Sequence, residues 1–150
     1  MTTKIMFVCL GNICRSPTAE GVFRGLAAQA GLDVFIDSSG TSDWHNGDLP
    51  DARAMAEAKV RGYNLSMQRS SQLKPQDFHD FDLILCMDNS NIAKTEAIRP
   101  KGGIAVVKLF LDYAPNQPLR EVPDPYCEHN FDAVFDLIED ASRGLIAELS

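Results

Sequence analysis

Short apolar runs alternate along this chain with stretches whose apolar residues recur at helical spacing. The apolar runs predict buried strands at residues 5–10, 32–38, 81–88 and 103–111. Helices are predicted between and after them, at residues 16–30, 51–60 and 89–98, and from Phe131, beyond which apolar residues recur at 134, 135, 138, 141 and 145. This alternation indicates an α/β fold in which a parallel sheet carries helices on both faces.

Particular residues mark the ends of these elements. Ser16 is a favoured N-cap and Pro17 suits the first helical position, so the first helix is predicted to begin there. Gly31 and Gly62 are predicted to end the first and second helices. No repeat or linker interrupts the pattern, so residues 1–150 are expected to form one domain.

The composition is that of a globular protein, with 45% apolar and 23% charged residues. A formal net charge of −7 argues against a nucleic-acid-binding protein, which usually carries a basic excess. No apolar run approaches the roughly 18 residues that span a bilayer, and the N-terminal run is too short for a signal peptide. We therefore expect a cytoplasmic protein without membrane or nucleic-acid partners, whose four cysteines are thiols.

The stretch "FVCLGNICRSPTAEGVF" joins the first predicted strand to the first predicted helix. A helix N-terminus offers free N–H groups and a partial positive charge, and Gly11 gives the loop conformational freedom. Arg15 adds a planar guanidinium that can hold two oxygens of a phosphate. The loop therefore predicts an oxyanion or phosphate site, although it lacks the pattern of a nucleotide P-loop.

Cys9 makes this loop a candidate for catalysis. A thiol beside Arg15 and the loop N–H groups is favoured as thiolate, which is a good nucleophile near neutral pH. It would attack a bound phosphate in line with the leaving group. Ser16 and Asn12 are polar groups that could shape the loop and hydrogen-bond the sulfur. The alternative is that Cys9 is an ordinary buried thiol.

Asp124, in the late loop "VPDPYC", is the candidate acid for the leaving group. Sites of open parallel sheets lie beyond the carboxyl ends of the strands, which can bring Asp124 close to Cys9. A protonated carboxyl group could donate to the departing oxygen, and the carboxylate could then activate water. The alternative is a simple turn, because Asp-Pro is a common turn pair.

The stretch "VCLGNICRSP", with a distant "DPY", resembles the signature of low-molecular-weight protein tyrosine phosphatases. The segments "SDWHNG", "DAR", "FDLILCMDNSN" and "FDAVFDLIEDA" also follow the order and spacing of that family, so the resemblance covers nearly the whole chain. It implies a doubly wound sheet of four parallel strands, with helices on both faces and a phosphate-binding loop after the first strand. The implied reaction is hydrolysis of phosphotyrosine and aryl phosphates through a phosphocysteine intermediate, without metal or cofactor.

The resemblance also implies a role for each site residue. It assigns Cys9 as nucleophile, Arg15 as phosphate clamp and Asp124 as general acid and then base. The implied loop-supporting residues are Asn12, Ser16 and Ser38. The implied substrate-binding residues are Leu10, Gly11, Ile13, Cys14 and, as aromatic walls of a slot for the ring, Trp44 and Tyr126. The implied partner is a phosphotyrosine-containing protein, and the expected state is a monomer or weak homodimer.

This chain departs from its relatives at Cys127, where many have a second aromatic residue after the "DPY", and at His45, where relatives vary. Ile13, the segment 66–72 and Cys14 bear on the substrate, the support of the loop and redox protection. Members of the family that act on phosphoarginine carry threonine where this chain has Ile13, so Ile13 favours phosphotyrosine. The segment "SMQRSSQ" lacks a histidine that many relatives have there, so a supporting hydrogen bond to the loop is expected to be absent or replaced. Cys14 either packs or forms a protective disulfide with Cys9 under peroxide.

Two other functions fit the same loop. Arsenate reduction on this scaffold uses a further cysteine pair after the third strand, and "MDNSNIAKTEAIRP" contains no cysteine. A non-catalytic phosphate-binding module would use the same cradle, but it would need neither Cys9 nor Asp124.

Overall fold

The computed structural model describes residues 2–124 and 130–150, and strands and helices alternate through them. The predicted strands and helices are all present, and two short helices were not predicted. In chain order the elements are β1 (Thr3–Cys9), α1 (Arg15–Gln29), β2 (Val34–Gly40), α2 (Ala52–Val60), α3 (Asp77–Asp80), β3 (Leu83–Cys86), α4 (Asn89–Ala97), β4 (Val106–Leu109), a 3₁₀ helix (Phe110–Tyr113) and α5 (Phe131–Leu149).

The sheet is parallel and has the strand order β2-β1-β3-β4. In its register the last residue of β1, Cys9, lies opposite Gly40 of β2, and Val8 lies opposite Cys86 of β3. The carboxyl ends of these strands therefore meet at one edge. The predicted fold class, a doubly wound sheet of four parallel strands, is confirmed.

Alternate residues of β1 face two different cores. Phe7 belongs to the cluster that contains α1 and α5, and its ring packs edge-on against Phe23 at 5.8 Å and Phe110 at 5.0 Å. Val8 belongs to the cluster on the opposite face, with Phe78 of α3. This alternation follows from the two-residue period of a strand. It places helices on both faces, as predicted.

The start of α1 differs from the prediction. The helix begins at Arg15 with Cys14 as its N-cap, and no side chain caps it. Ser16 and Pro17 are therefore the second and third residues of the helix rather than its N-cap and first residue. The hydroxyl of Ser16 lies 3.0 Å from the sulfur of Cys9. Uncapped N–H groups at this end remain available to a ligand.

Other element ends shift by a few residues. β2 runs Val34–Gly40 rather than 32–38, and β3 runs Leu83–Cys86 rather than 81–88. β4 covers only Val106–Leu109 because the chain turns directly into the 3₁₀ helix. Gly31 and Gly62 follow their helices at φ of 71° and 90°, a backbone conformation that glycine adopts easily.

No helix within the described ranges has both the length and the apolar character needed to cross a membrane.

Candidate active site

The loop between β1 and α1 places polar groups around the sulfur of Cys9. Cys9 is 3% exposed, and its Sγ lies 3.0 Å from the Ser16 hydroxyl. The backbone N–H of Asn12 donates to the same sulfur over 3.3 Å. Contacts of this kind stabilise negative charge on sulfur, as does the N-terminal end of the helix that follows.

Asn12 holds this loop in a backbone conformation that few residues adopt. Its φ is 56°, in the left-handed region where asparagine is better tolerated than most residues. Its side-chain amide donates to the hydroxyls of Ser16 at 2.8 Å and Ser38 at 3.0 Å. The structure therefore brings together Asn12, Ser16 and Ser38, the predicted loop-supporting residues.

A buried carboxyl group lies behind this network. Ser38 donates its hydroxyl to Glu20 over 2.7 Å, and Arg24 donates to the other oxygen of Glu20 over 2.7 Å. Burial raises the pKa of Glu20, although the hydrogen bonds from Arg24 and Ser38 act in the opposite direction. Sequence reasoning missed Glu20, because no local pattern distinguishes it from an exposed helical glutamate.

Two serines support the loop without a histidine. Ser70 donates its hydroxyl to the carbonyl of Gly11 over 3.0 Å, and the N–H of Ser71 donates to the side-chain oxygen of Asn12 over 3.0 Å. The carbonyl of Ser71 accepts in turn from the N–H of Gly40 over 2.8 Å. The segment that lacks the histidine therefore supports the loop through hydrogen bonds of Ser70 and Ser71.

Gly40 allows β2 to approach the loop closely. A Cβ atom at Gly40 would lie 2.7 Å from the carbonyl oxygen of Leu10 and 3.1 Å from the backbone nitrogen of Asn12. Any larger residue at this position would therefore displace the loop around Cys9.

Arg15 is fixed by partners on two other segments. The residue is 4% exposed, and its Nη1 donates to Asp88 over 2.8 Å and to the carbonyl of Val122 over 3.0 Å. Burial alone would lower the pKa of Arg15, but the neighbouring Cys9 and Asp88 raise it. Arg15 therefore carries a permanent positive charge beside the loop.

Asp88 is a site residue that sequence reasoning missed. It lies two residues after the end of β3 and is the N-cap of α4, where one carboxylate oxygen accepts from the N–H of Asn91 over 2.8 Å. The other oxygen accepts from Arg15. A signal was available, because Asp88 follows the carboxyl end of the strand beside β1, which is where sites of such sheets lie.

Asp124 reaches the same crevice from the loop that follows the 3₁₀ helix. One of its oxygens lies 3.9 Å from Nη2 of Arg15, and its side chain is 38% exposed. The N–H of Val122 donates to the carbonyl of Met87 over 2.8 Å, which attaches this loop to the end of β3. The structure thus brings Asp124 and Arg15 to the end of β1, where Cys9 lies.

A cavity of about 290 Å³ opens at this point. Besides Cys9, Arg15 and Asp124, it is lined by His45 and by five predicted substrate-binding residues, Leu10, Gly11, Ile13, Cys14 and Trp44. Trp44 is 74% exposed, so the face of its indole ring is available for stacking. The predicted second wall, Tyr126, lies outside the described residues.

His45 forms part of the rim of this cavity. A Cβ atom on Gly11 would lie 3.1 Å from its ring, so the glycine lets the imidazole pack against the loop. Nδ1 of His45 lies 3.1 Å from a carboxylate oxygen of Asp48, which fixes the orientation of the ring.

Cys14 differs from Cys9 in its surroundings. Both are free thiols, and Cys14 is 5% exposed. Burial raises the pKa of Cys14 well above that of an ordinary thiol, and the charge of Cys9 raises it further. Cys14 therefore remains a neutral thiol on the cavity wall.

Comparisons with known proteins agree with this architecture. Residues 4–150 match the family described as low molecular weight phosphotyrosine protein phosphatase. The chain is 46% identical over 151 residues to a provisionally named low molecular weight protein-tyrosine-phosphatase of Synechocystis, covering 97% of this chain and 96% of the relative. A crystal structure of YfkJ from Bacillus subtilis has a TM-score of 0.93 at 37% identity, covering 99% of this chain and 94% of that one. A crystal structure of a Drosophila arginine phosphatase has a TM-score of 0.91 at 30% identity, covering 97% of each chain.

Proposed function

Because the chain belongs to the low molecular weight phosphotyrosine protein phosphatase family and is therefore a protein tyrosine phosphatase, we propose that Cys9, Arg15 and Asp124 carry its reaction. One observation carries the proposal. A buried, hydrogen-bonded thiol, a buried guanidinium and a carboxyl group line the same cavity at the carboxyl edge of the sheet.

In the first step the sulfur of Cys9 attacks phosphorus. A P–S bond forms while the bond between phosphorus and the tyrosine oxygen breaks. Arg15 and the loop N–H groups hold the equatorial oxygens and stabilise the charge that develops on them. Protonated Asp124 donates its proton to the departing phenolate oxygen.

In the second step water attacks the phosphorus of the phosphocysteine. The carboxylate of Asp124 accepts a proton from this water as the P–S bond breaks. Inorganic phosphate leaves and the thiolate of Cys9 is restored. The cycle consumes only water, and none of its steps uses a metal or a cofactor.

The walls of the cavity support phosphotyrosine as the substrate class. Ile13 and the face of Trp44 offer apolar surface that suits an aromatic ring by burial and stacking. Ile13 provides no hydroxyl group for the guanidinium of phosphoarginine. The likeness to the Drosophila arginine phosphatase concerns the fold, and side chains at the site set the substrate.

Arsenate reduction needs further cysteines that exchange a disulfide. Cys86 is fully buried, with its sulfur 3.6 Å from the hydroxyl of Thr95, and burial raises its pKa to about 12. A buried thiol with a raised pKa is poorly suited to attack an arsenic adduct on Cys9. A binding module, in turn, would not need the hydrogen-bonded sulfur of Cys9.

The proposal extends to the setting in which the enzyme works. Its substrates are phosphotyrosine-containing proteins, and residues 1–150 act as a single domain. We place this domain in the cytoplasm as a monomer or weak homodimer without nucleic-acid or membrane partners. The formal net charge of −7 supports the absence of a nucleic-acid partner.

A substrate panel tests the proposal. Phosphotyrosine and phosphoserine peptides, phosphoarginine and arsenate are assayed at one pH in the presence of a chelator. We expect phosphate release from phosphotyrosine, and we expect Cys9→Ser to lower kcat/KM by more than about 10³-fold.

The matched control is Cys86→Ser, which removes a buried thiol of β3 outside the cavity and should retain activity. Activity that survives Cys9→Ser, or a preference for phosphoarginine, would contradict the proposal. Thiol-coupled arsenate turnover without phosphate release would support arsenate reduction instead.

A further inference from the structure

The loop that carries Asp124 is fixed by a side chain that the reaction above does not use. We infer that Arg120 is a positioning residue for Asp124, an inference that rests on the general-acid role proposed for that carboxyl group. Arg120 stands in the stretch "LREVPD", ahead of Asp124, and it does not line the cavity that contains Cys9.

The guanidinium of Arg120 donates to three main-chain carbonyl groups. Nη1 donates to the carbonyl of Leu111 over 2.9 Å, and Nη2 donates to those of Ala114 over 2.8 Å and Gln117 over 2.7 Å. Leu111 lies in the 3₁₀ helix, and Ala114 is its C-cap. One side chain therefore attaches the end of the 3₁₀ helix to the segment that leads to Asp124.

These carbonyl groups are suitable partners for a cation. The carbonyl groups of Leu111 and Ala114 already accept the N–H groups of Ala114 and Gln117, each over 3.0 Å. A carbonyl oxygen has two lone pairs, so each of them accepts from Arg120 as well. The planar fork of a guanidinium can reach several acceptors at once, whereas an ammonium group is a compact point charge. Lysine would therefore replace Arg120 only in part.

The two residues after Arg120 attach the same segment to other elements. Glu121 accepts from the N–H of Asn89 at the start of α4 over 2.8 Å. Val122 accepts from Arg15 and donates to Met87. Arg120 instead joins the segment to residues 111–117, which immediately precede it, so its loss frees that end of the loop.

A general acid acts only when it lies within hydrogen-bond reach of the departing oxygen. A misplacement of about 1 Å can cost roughly 10²-fold in rate. Losing Arg120 therefore weakens protonation of the leaving group. A weakly acidic phenol depends on that proton most, so the loss should grow as the leaving group becomes poorer.

The test measures kcat/KM for aryl phosphates whose phenols differ in acidity, in the wild type and in Arg120→Ala, Arg120→Lys and Asp124→Ala. We expect Asp124→Ala to steepen the dependence of log(kcat/KM) on phenol acidity. Arg120→Ala should steepen this dependence less. Its kcat/KM for the poorest leaving group should fall about tenfold, which is less than the roughly 10²–10⁴-fold that a general acid contributes. The dependence for Arg120→Lys should have a slope between those for Arg120→Ala and the wild type.

The matched control is Arg99→Ala. Arg99 also anchors a loop, since its Nη1 donates to the carbonyl of Gly103 over 2.8 Å, but this loop lies outside the site. Its loss should lower stability without changing the dependence on phenol acidity.

Two results would overturn the inference, and they differ. An unchanged dependence in both Arg120 variants, with a steeper one in Asp124→Ala, would overturn the positioning role alone. An unchanged dependence in Asp124→Ala would overturn the general-acid role and the positioning role with it. Should Arg120→Ala fail to fold, the Arg120→Lys variant decides the outcome.

Discussion

Asn12 connects the backbone of the loop to the reactive sulfur. Its N–H donates to Cys9, while its side chain binds the hydroxyls of Ser16 and Ser38 and the N–H of Ser71. The left-handed conformation costs most residues about 1–2 kcal/mol, and asparagine tolerates it better than they do. One residue therefore serves both the loop's conformation and its hydrogen bonds.

Replacing Asn12 separates these two contributions. Asn12→Gly keeps the backbone conformation and loses the side-chain hydrogen bonds, whereas Asn12→Ala loses the bonds and adds backbone strain. We expect both variants to lose about 10- to 100-fold in kcat/KM, which corresponds to one or two hydrogen bonds. Urea denaturation should show Asn12→Gly more stable than Asn12→Ala by about 1 kcal/mol. Equal stability of the two variants, or wild-type activity in either, would contradict this account.

The final helix, α5, is seated against the 3₁₀ helix that Arg120 anchors. Gly144 makes this contact possible, because a Cβ atom there would overlap the carbonyl oxygen of Tyr113. Nearby on the same helix, Ser142 is fully buried, and its hydroxyl has no hydrogen-bond partner among the described residues. The packing of α5 therefore requires glycine at position 144 and carries an unsatisfied polar group at Ser142.

Two substitutions in α5 should have opposite effects on the free energy of unfolding. Gly144→Ala would stabilise an exposed helix, but here the overlap with Tyr113 should destabilise the protein by about 1–3 kcal/mol. Ser142→Ala, the matched control, removes an unsatisfied buried hydroxyl and should be neutral or stabilising by about 1 kcal/mol. Thermal denaturation measures both. A stabilised Gly144→Ala would show that the contact with the 3₁₀ helix is not tight.

At the scale of the whole molecule, the parallel sheet gathers groups that are far apart in sequence. Cys9 ends β1, Gly40 ends β2, and Asp88 follows β3. The chain after β4 leads through the 3₁₀ helix to Asp124. One edge of the sheet thus holds the thiol of Cys9, the close approach of Gly40 to the loop, and the carboxyl groups of Asp88 and Asp124.

Much of this arrangement could be predicted from sequence. The alternation of apolar runs and helical patterns indicated the sheet. The stretch from Cys9 to Arg15 indicated the phosphate loop, because its chemistry is local. Asp124 could be placed beside them only by the rule that carboxyl ends of parallel strands share an edge.

Other site residues could not be predicted, because their roles depend on tertiary contacts. Ser70 meets Gly11 across many residues of sequence, and Glu20 is distinguished only by its burial. The partners of Arg120 are main-chain carbonyl groups, which no sequence pattern marks. The role of Tyr126 as an aromatic wall stays a prediction.

Trapping the covalent intermediate tests the central claim most directly. Asp124→Ala should slow the hydrolysis of phosphocysteine, so the variant is mixed with a phosphotyrosine peptide, denatured with detergent at mildly alkaline pH during turnover and examined by mass spectrometry. The mechanism predicts one phosphoryl group on the peptide that contains Cys9, and none when Cys9→Ser is combined with it. Phosphate release without any phosphoryl group on Cys9 would contradict the mechanism.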